Sequence, residues 1–219
     1  MAKRNGIFSA ETFLSTIGAG RVTVFLRKGQ SVYSQGDKAD AVFVILKGRV
    51  RLSAQAHDKK KEATLDLLSD DDFLGKECLA GERLRTVSAS AMTDCTLLRI
   101  EKKIMVEAMA REASLSNLLC AYVLGRNLRY QQDLVDQRCN PSEKRLGRIL
   151  LLLARFDGPG EEDAVIPNIT HETLAEMVGT TRSRICFFMK RFKASGLISY
   201  TLPSQPMRIH RTLLAFQAR

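Results

Sequence analysis

THETLAEMVGTTRSRICFFMKRFKASGLIS, from Thr170 to Ser199, is the stretch that decides the fold. It reads as two short helices joined by a tight turn and followed by a strand. Leu174, Ala175 and Val178 give the first helix an apolar stripe at helical spacing. Gly179 stands where that helix must stop and the chain must reverse, a position that favours a residue tolerant of positive φ. Thr180 and Thr181 follow as candidate N-caps of the second helix. Ile185, Phe188, Met189 and Phe192 mark its inward face. Arg182, Ser183, Arg184, Lys190, Arg191 and Lys193 mark the other, and no acidic residue lies between 182 and 193. A short helix, a turn and a basic second helix make a helix-turn-helix that reads double-stranded DNA; the alternative is a basic helical hairpin with a solvated face. The expected DNA-contacting set is Thr170, His171, Thr181, Arg182, Ser183, Arg184, Lys190 and Arg191.

Length and charge agree with a polyanionic partner. The 219 residues suit two modest domains, and 45% hydrophobic content supplies their cores. A net charge of +10 is spread unevenly. Residues 140–219 hold 12 Lys and Arg against 7 Asp and Glu, and residues 1–139 hold 22 against 17, so the C-terminal part is nearly twice as basic per residue. The N-terminal MAKRNGIFSAETF is basic but lacks an apolar core, and the longest aliphatic run is Ile149 to Ala154. A soluble, cytoplasmic protein with no membrane partner is therefore expected. Cys78, Cys95, Cys120, Cys139 and Cys186 are odd in number and scattered, so reduced thiols are expected rather than a disulfide frame or a metal site. His57, His171 and His210 are equally dispersed.

Upstream, short strands alternate with turn signals. Val22 to Leu26, Ser31 to Tyr33, Ala41 to Leu46, Arg49 to Ser53, Ala63 to Leu68, Thr86 to Ala91 and Cys95 to Ile100 are separated by Lys28-Gly29, Gln35-Gly36-Asp37, Lys47-Gly48 and a charged tip from His57 to Glu62. That spacing indicates an antiparallel barrel or roll. A helix is expected from near Lys102 to about Asp136. Along it Leu118, Ala121, Gly125, Leu128, Gln132 and Val135 recur at alternating steps of three and four, a seam suited to pairing with a second copy or to packing on its own domain. Asn140-Pro141-Ser142 then breaks the pattern and forms a hinge. Ser142 to Phe156 reads as the next helix, ending at Asp157-Gly-Pro-Gly160. After the acidic Glu161-Glu-Asp163, Ala164 to Ile166 reads as a strand. Leu197 to Thr201 and Met207 to Arg211 read as a hairpin wing around Pro203-Ser-Gln-Pro206.

The order of parts resembles the cyclic-AMP receptor protein and fumarate–nitrate regulator (CRP/FNR) superfamily of bacterial transcription factors over roughly residues 13–210. Three blocks carry the resemblance: FLRKGQSVYSQGDKADAVFVILKGRVRLS, then DDFLGKECLAGERLRTVSASAMTDC ending at Cys95, then the helix-turn-helix. It implies an α+β chain with an N-terminal antiparallel β-roll (a double-stranded β-helix) as sensor at 1–105. A long dimerisation helix and hinge would occupy 106–139, and a winged helix-turn-helix 140–219. Such a chain works as a homodimer on DNA and with RNA polymerase.

Departures from the family pattern narrow the effector. Cyclic-AMP-binding members place a Gly-Glu and an Arg-Ser or Arg-Thr in the second block. There the arginine neutralises the phosphate and the glutamate accepts from the ribose hydroxyl. Gly75, Arg85 and Thr86 match, but Lys76 stands in place of the glutamate and has no acceptor. Asp133 and Leu134 fall where cyclic-AMP binders place hydroxyl residues. Both points argue against cyclic AMP. Gly75, Lys76, Glu77, Arg85 and Thr86 could still hold a small anionic effector, or Arg85 could pair with Glu77 or Glu82. An iron–sulfur cluster is not expected, since no cysteine precedes Cys78, and haem is not expected without a histidine near Cys78. A redox role for Cys78 competes with that of a buried small residue.

In the reading helix, Arg182 matches an arginine that reads guanine in the cyclic-AMP branch. Ser183 replaces the usual glutamate, and Phe187 stands where arginine is common. A different half-site is expected, with Arg182 on a guanine and Arg184 on a phosphate or second base. No Walker loop, GxSxG motif or paired His/Cys constellation supports an enzyme. The remaining alternative is a cyclic-nucleotide-binding-like interaction module without DNA-binding activity.

Overall fold

The computed structural model describes residues 20–55, 62–154, 163–166, 169–200 and 206–217. The N-terminal segment, the charged tip at 57–61, the end of the helix at 155–156, the loop at 157–162 and the wing turn at 201–205 lie outside them. The described residues form two compact units, one ending at Asn127 and the other beginning at Leu128.

The first unit holds two four-stranded antiparallel sheets. One runs in the order β1 (Arg21–Leu26), β8 (Cys95–Glu101), β3 (Ala41–Lys47), β6 (Phe73–Leu74). The other runs β2 (Ser31–Tyr33), β7 (Ser88–Ala91), β4 (Val50–Gln55), β5 (Glu62–Leu68). The expected strands are present, and β6 is an addition too short to leave a periodic signal. The unbroken apolar run of β3 has a direct cause, because the strand is buried on both faces. Ala41, Phe43 and Ile45 join Tyr33, Val50, Leu52, Leu68 and Leu97 in one core. Val42 and Val44 join Phe73, Cys78, Leu98 and Ile100 in another, which the helices that follow complete.

The single helix expected from Lys102 is two. Helix α1 (Lys102–Arg111) ends at Glu112, whose extended backbone (φ −117°, ψ 95°) precedes α2 (Ala113–Cys139). Met105 of α1 and Leu115 and Leu119 of α2 are buried in the same core, and the break lets both helices point their apolar residues into it. No proline or glycine marks the site.

Helix α2 is fixed to the sheets by buried charge. Arg126 makes an ion pair with Asp66 of β5, and its Nη1 lies 3.6 Å from Asp72 Oδ1. All three residues are buried. Tyr122, one turn earlier, donates to Asp72 (3.1 Å) and accepts from the Phe73 backbone N–H (3.1 Å). These partners satisfy groups that would otherwise be stranded in a low-dielectric interior.

The second unit contains the end of α2, α3 (Ser142–Ala154), α4 (His171–Val178), α5 (Arg182–Ala194) and α6 (Thr212–Gln217). Its antiparallel sheet runs β10 (Ile198–Ser199), β11 (Met207–His210), β9 (Asp163–Ile166). His210 joins the three strands, with one ring nitrogen on the Asp163 carboxylate and the other 3.0 Å from Ser199 Oγ. The first of these bonds holds the Asp163 carboxyl below its ordinary range. Helix α6 carries no signal that the sequence reading picked out. It buries Leu213 and sets Phe216 edge-on against Phe192 of α5 (5.3 Å between centroids). Among the described residues, no helix is long and apolar enough to cross a membrane.

Candidate nucleic-acid interface and effector cassette

The helix-turn-helix is built by its caps. Thr170 caps α4 by accepting from the Thr173 N–H (3.1 Å), and Thr181 caps α5 by accepting from the Arg184 N–H (3.4 Å). Gly179 adopts the left-handed conformation (φ 68°, ψ 49°) between them, and its N–H closes on the Glu176 carbonyl. The residue that ties this turn to its surroundings, Arg145 of α3, was missed from the sequence. It donates to the carbonyls of Val178 (3.0 Å) and Gly179 (3.4 Å), and to those of Gln137 (3.0 Å) and Asn140 (3.2 Å) at the end of α2. One guanidinium thus satisfies carbonyls left over at two helix ends.

Ile185, Phe188, Met189 and Phe192 are buried, as the spacing requires, and turn the other side of α5 outward. Thr181, Arg182, Ser183, Arg184, Lys190 and Arg191 are all exposed, as is Thr170, while His171 is half-buried. Two of the arginines have carboxylate partners. Arg182 Nε donates to Glu172 Oε1 of α4 at 2.7 Å, and Arg191 lies 3.3 Å from Glu143. The first pair ties the Arg182 side chain to α4, so α4 orients it at the start of α5. Exposed pairs of this kind contribute at most about 1 kcal/mol, weak enough to exchange for a stronger anion.

In the first unit, Gly75 (φ 74°) leads a 3-10 turn, Lys76–Ala80. A Cβ at Gly75 would lie 2.5 Å from Arg85 Nη1 and 3.0 Å from the Ala41 carbonyl oxygen, on a backbone of positive φ, so a side chain there would push the arginine from its place. Arg85 is 3% exposed. It donates to the carbonyls of Gly75 (3.0 Å) and Ala41 (2.7 Å) and to Glu77 Oε1 (3.0 Å), and its guanidinium lies over the Tyr33 ring (4.3 Å). Of the two partners open to it, Glu77 is the one it takes. Lys76 is half-buried. Its ammonium is pushed below the usual lysine range, first by burial and then by the neighbouring Arg126. Thr86 is exposed. Both outer nitrogens of Arg85 are thus engaged by protein acceptors, and the ammonium-bearing Lys76 directly follows Gly75. Cys78 beside them is buried, and burial raises its thiol.

On α2, Leu118 is half-buried, and Ala121, Gly125, Leu128, Gln132 and Val135 are exposed, Leu128 at 62% and Val135 at 59%. Asp133 pairs with Arg148 of α3 (2.9 Å).

Comparison with known proteins matches residues 23–112 to the cyclic nucleotide-binding domain and residues 144–213 to the Crp-like helix-turn-helix domain. The chain is 25% identical over 195 residues to the global nitrogen regulator of Synechococcus elongatus, covering 86% of this chain and 87% of that one. It is 28% identical over 174 residues to the cyclic AMP receptor protein of Thermus thermophilus, covering 78% and 76%. In fold it resembles FixK2 from Bradyrhizobium japonicum, with a TM-score of 0.77 at 14% identity over 90% of this chain and 96% of that one.

Proposed function

We propose how this chain, which belongs to the CRP/FNR family of DNA-binding transcription regulators, carries out that role: as a homodimer, it places the N-terminal half of α5 in the major groove of each half of a two-fold operator. Family membership makes it a regulator and not an enzyme, and the matched Crp-like helix-turn-helix sets aside a module without DNA binding. The observation that carries the reading is the acid-free outer face of α5, begun by a capped, exposed Arg182 that Glu172 orients. Thr181, Arg182, Ser183 and Arg184 then meet bases and nearby phosphates. Lys190 and Arg191 lie further along the helix, and Thr170 and His171 at the start of α4, all suited to phosphates. Binding-site selection tests this: enrichment of a two-fold sequence supports it, and no enrichment contradicts it.

Residues 1–105 serve as the sensor roll, 106–139 as the dimerisation helix and hinge, and 140–219 as the reading head, in the cytoplasm and in contact with RNA polymerase. Dimerisation uses the seam Leu118, Ala121, Gly125, Leu128, Gln132 and Val135, most of which is exposed in the single chain. Replacing Leu128 with aspartate puts a charge in that seam and gives a monomer by sedimentation at concentrations where the wild type is a dimer. A dimer persisting in the variant would move the interface elsewhere.

A small anionic effector, where one acts, enters by displacing Glu77 from Arg85, in a site formed by Gly75, Lys76, Glu77, Arg85 and Thr86. Cyclic AMP is a poor candidate, because its ribose hydroxyl meets Lys76, and leaving that group unpaired costs about 1–3 kcal/mol. Calorimetry is expected to detect no low-micromolar binding of cyclic AMP to the wild type. Detection of such binding would show that Glu77 moves to supply the missing acceptor.

A further inference from the structure

The outermost line of α5 is not uniformly basic. With a helical advance of about 100° per residue, the buried Ile185, Phe188, Met189 and Phe192 define one side, and the direction opposite them passes through Ser183, Phe187 and Lys190. Arg182 and Arg184 flank that line on either side. Phe187 therefore points straight outward from the middle of the face, and it is 61% exposed. Its ring rests edge-on against Phe188 (5.8 Å between centroids, 65° between planes), so a buried neighbour supports the outward ring.

A lone exposed phenylalanine needs no explanation on an ordinary surface. On this face it does, because under the function proposed above it faces the floor of the major groove. Phenylalanine has no donor or acceptor for a base edge or a phosphate. The apolar feature that the major groove offers is the 5-methyl group of thymine. We infer that Phe187 is a specificity-determining residue that reads a thymine methyl by apolar contact. Arg182 and Phe187 are five residues apart, about 7.5 Å along the helix. At about 3.4 Å per base step, that places the thymine within roughly two to three base pairs of the guanine met by Arg182. The small Ser183 leaves the ring room to approach, where a long side chain in the same line would stand in front of it.

This inference rests on the DNA-reading role of α5, and the test separates the two. A duplex from binding-site selection is remade with uracil in place of each half-site thymine in turn, which removes the methyl and keeps the pairing edge. At one thymine near the Arg182 guanine, uracil is expected to weaken wild-type binding by about fourfold, the effect of losing one buried apolar carbon. Phe187→Ala should bind the thymine and uracil duplexes equally, and Phe187→Leu should keep part of the discrimination. Both variants should unfold at the wild-type temperature, because the ring is exposed. Wild-type indifference to uracil at every position, with Arg182→Ala still altering base preference, would overturn the inference and leave the DNA-reading role standing. So would unchanged discrimination in Phe187→Ala. Failure of the wild type to select any sequence would instead remove the role itself.

Discussion

Replacing Arg126 with methionine is expected to lower the unfolding free energy of the first unit by about 3–5 kcal/mol, the usual effect of removing one partner from a buried ion pair. The destabilisation comes less from the attraction removed than from what remains. Asp66 and Asp72 stay buried without their guanidinium, next to a partly desolvated Lys76. Methionine fills most of the volume, so the effect is electrostatic rather than a cavity. Urea denaturation of the full chain followed by a probe in the sheets measures it. A second variant, Arg126→Met with Asp66→Leu, should recover part of the stability, since an apolar pair leaves fewer charges stranded. A single variant within about 0.5 kcal/mol of wild type would show that water reaches the site and that α2 is not held by buried charge.

The second large effect is on DNA. Replacing Arg182 with alanine should cost about 1–3 kcal/mol per half-site and relax the preference at one base pair, because a guanidinium fork matches the two guanine acceptors. Replacing Lys190 should weaken binding to all sequences alike and reduce the salt slope by about one unit for each phosphate no longer neutralised. Base-preference profiles of the two variants distinguish them. Equal weakening with unchanged preference in both would make α5 a general basic face and not a reading helix.

The helix-turn-helix was legible because each of its signals is local: Thr170 and Thr181 cap their own helices, Gly179 turns the chain where it stands, and the stripe from Ile185 to Phe192 repeats within three turns. The strands of the roll were legible for the same reason, through glycine turns and alternation. What escaped is non-local. Arg126 and Asp66 are 60 residues apart, and an arginine between Gly125 and Asn127 in a polar-looking helix reads as solvated. Arg145 as the anchor of the reading turn escaped likewise, since its carbonyl partners carry no side-chain signature. The break at Glu112 comes from the need of two helices to share one core, a demand no residue type announces. At Arg85 the sequence left an effector or a neighbouring carboxylate open, because the seven residues between them hide whether Glu77 can reach it.

Whether the outer face of α5 reads DNA sequence is measured most directly by affinity. The protein is titrated against its selected duplex and a scrambled one, across a range of salt concentrations. A regulator that reads bases through α5 holds the selected duplex at least about 10³-fold more tightly than the scrambled one at physiological salt, and binding to both weakens as salt rises. Equal affinity for the two duplexes throughout the salt range would contradict it.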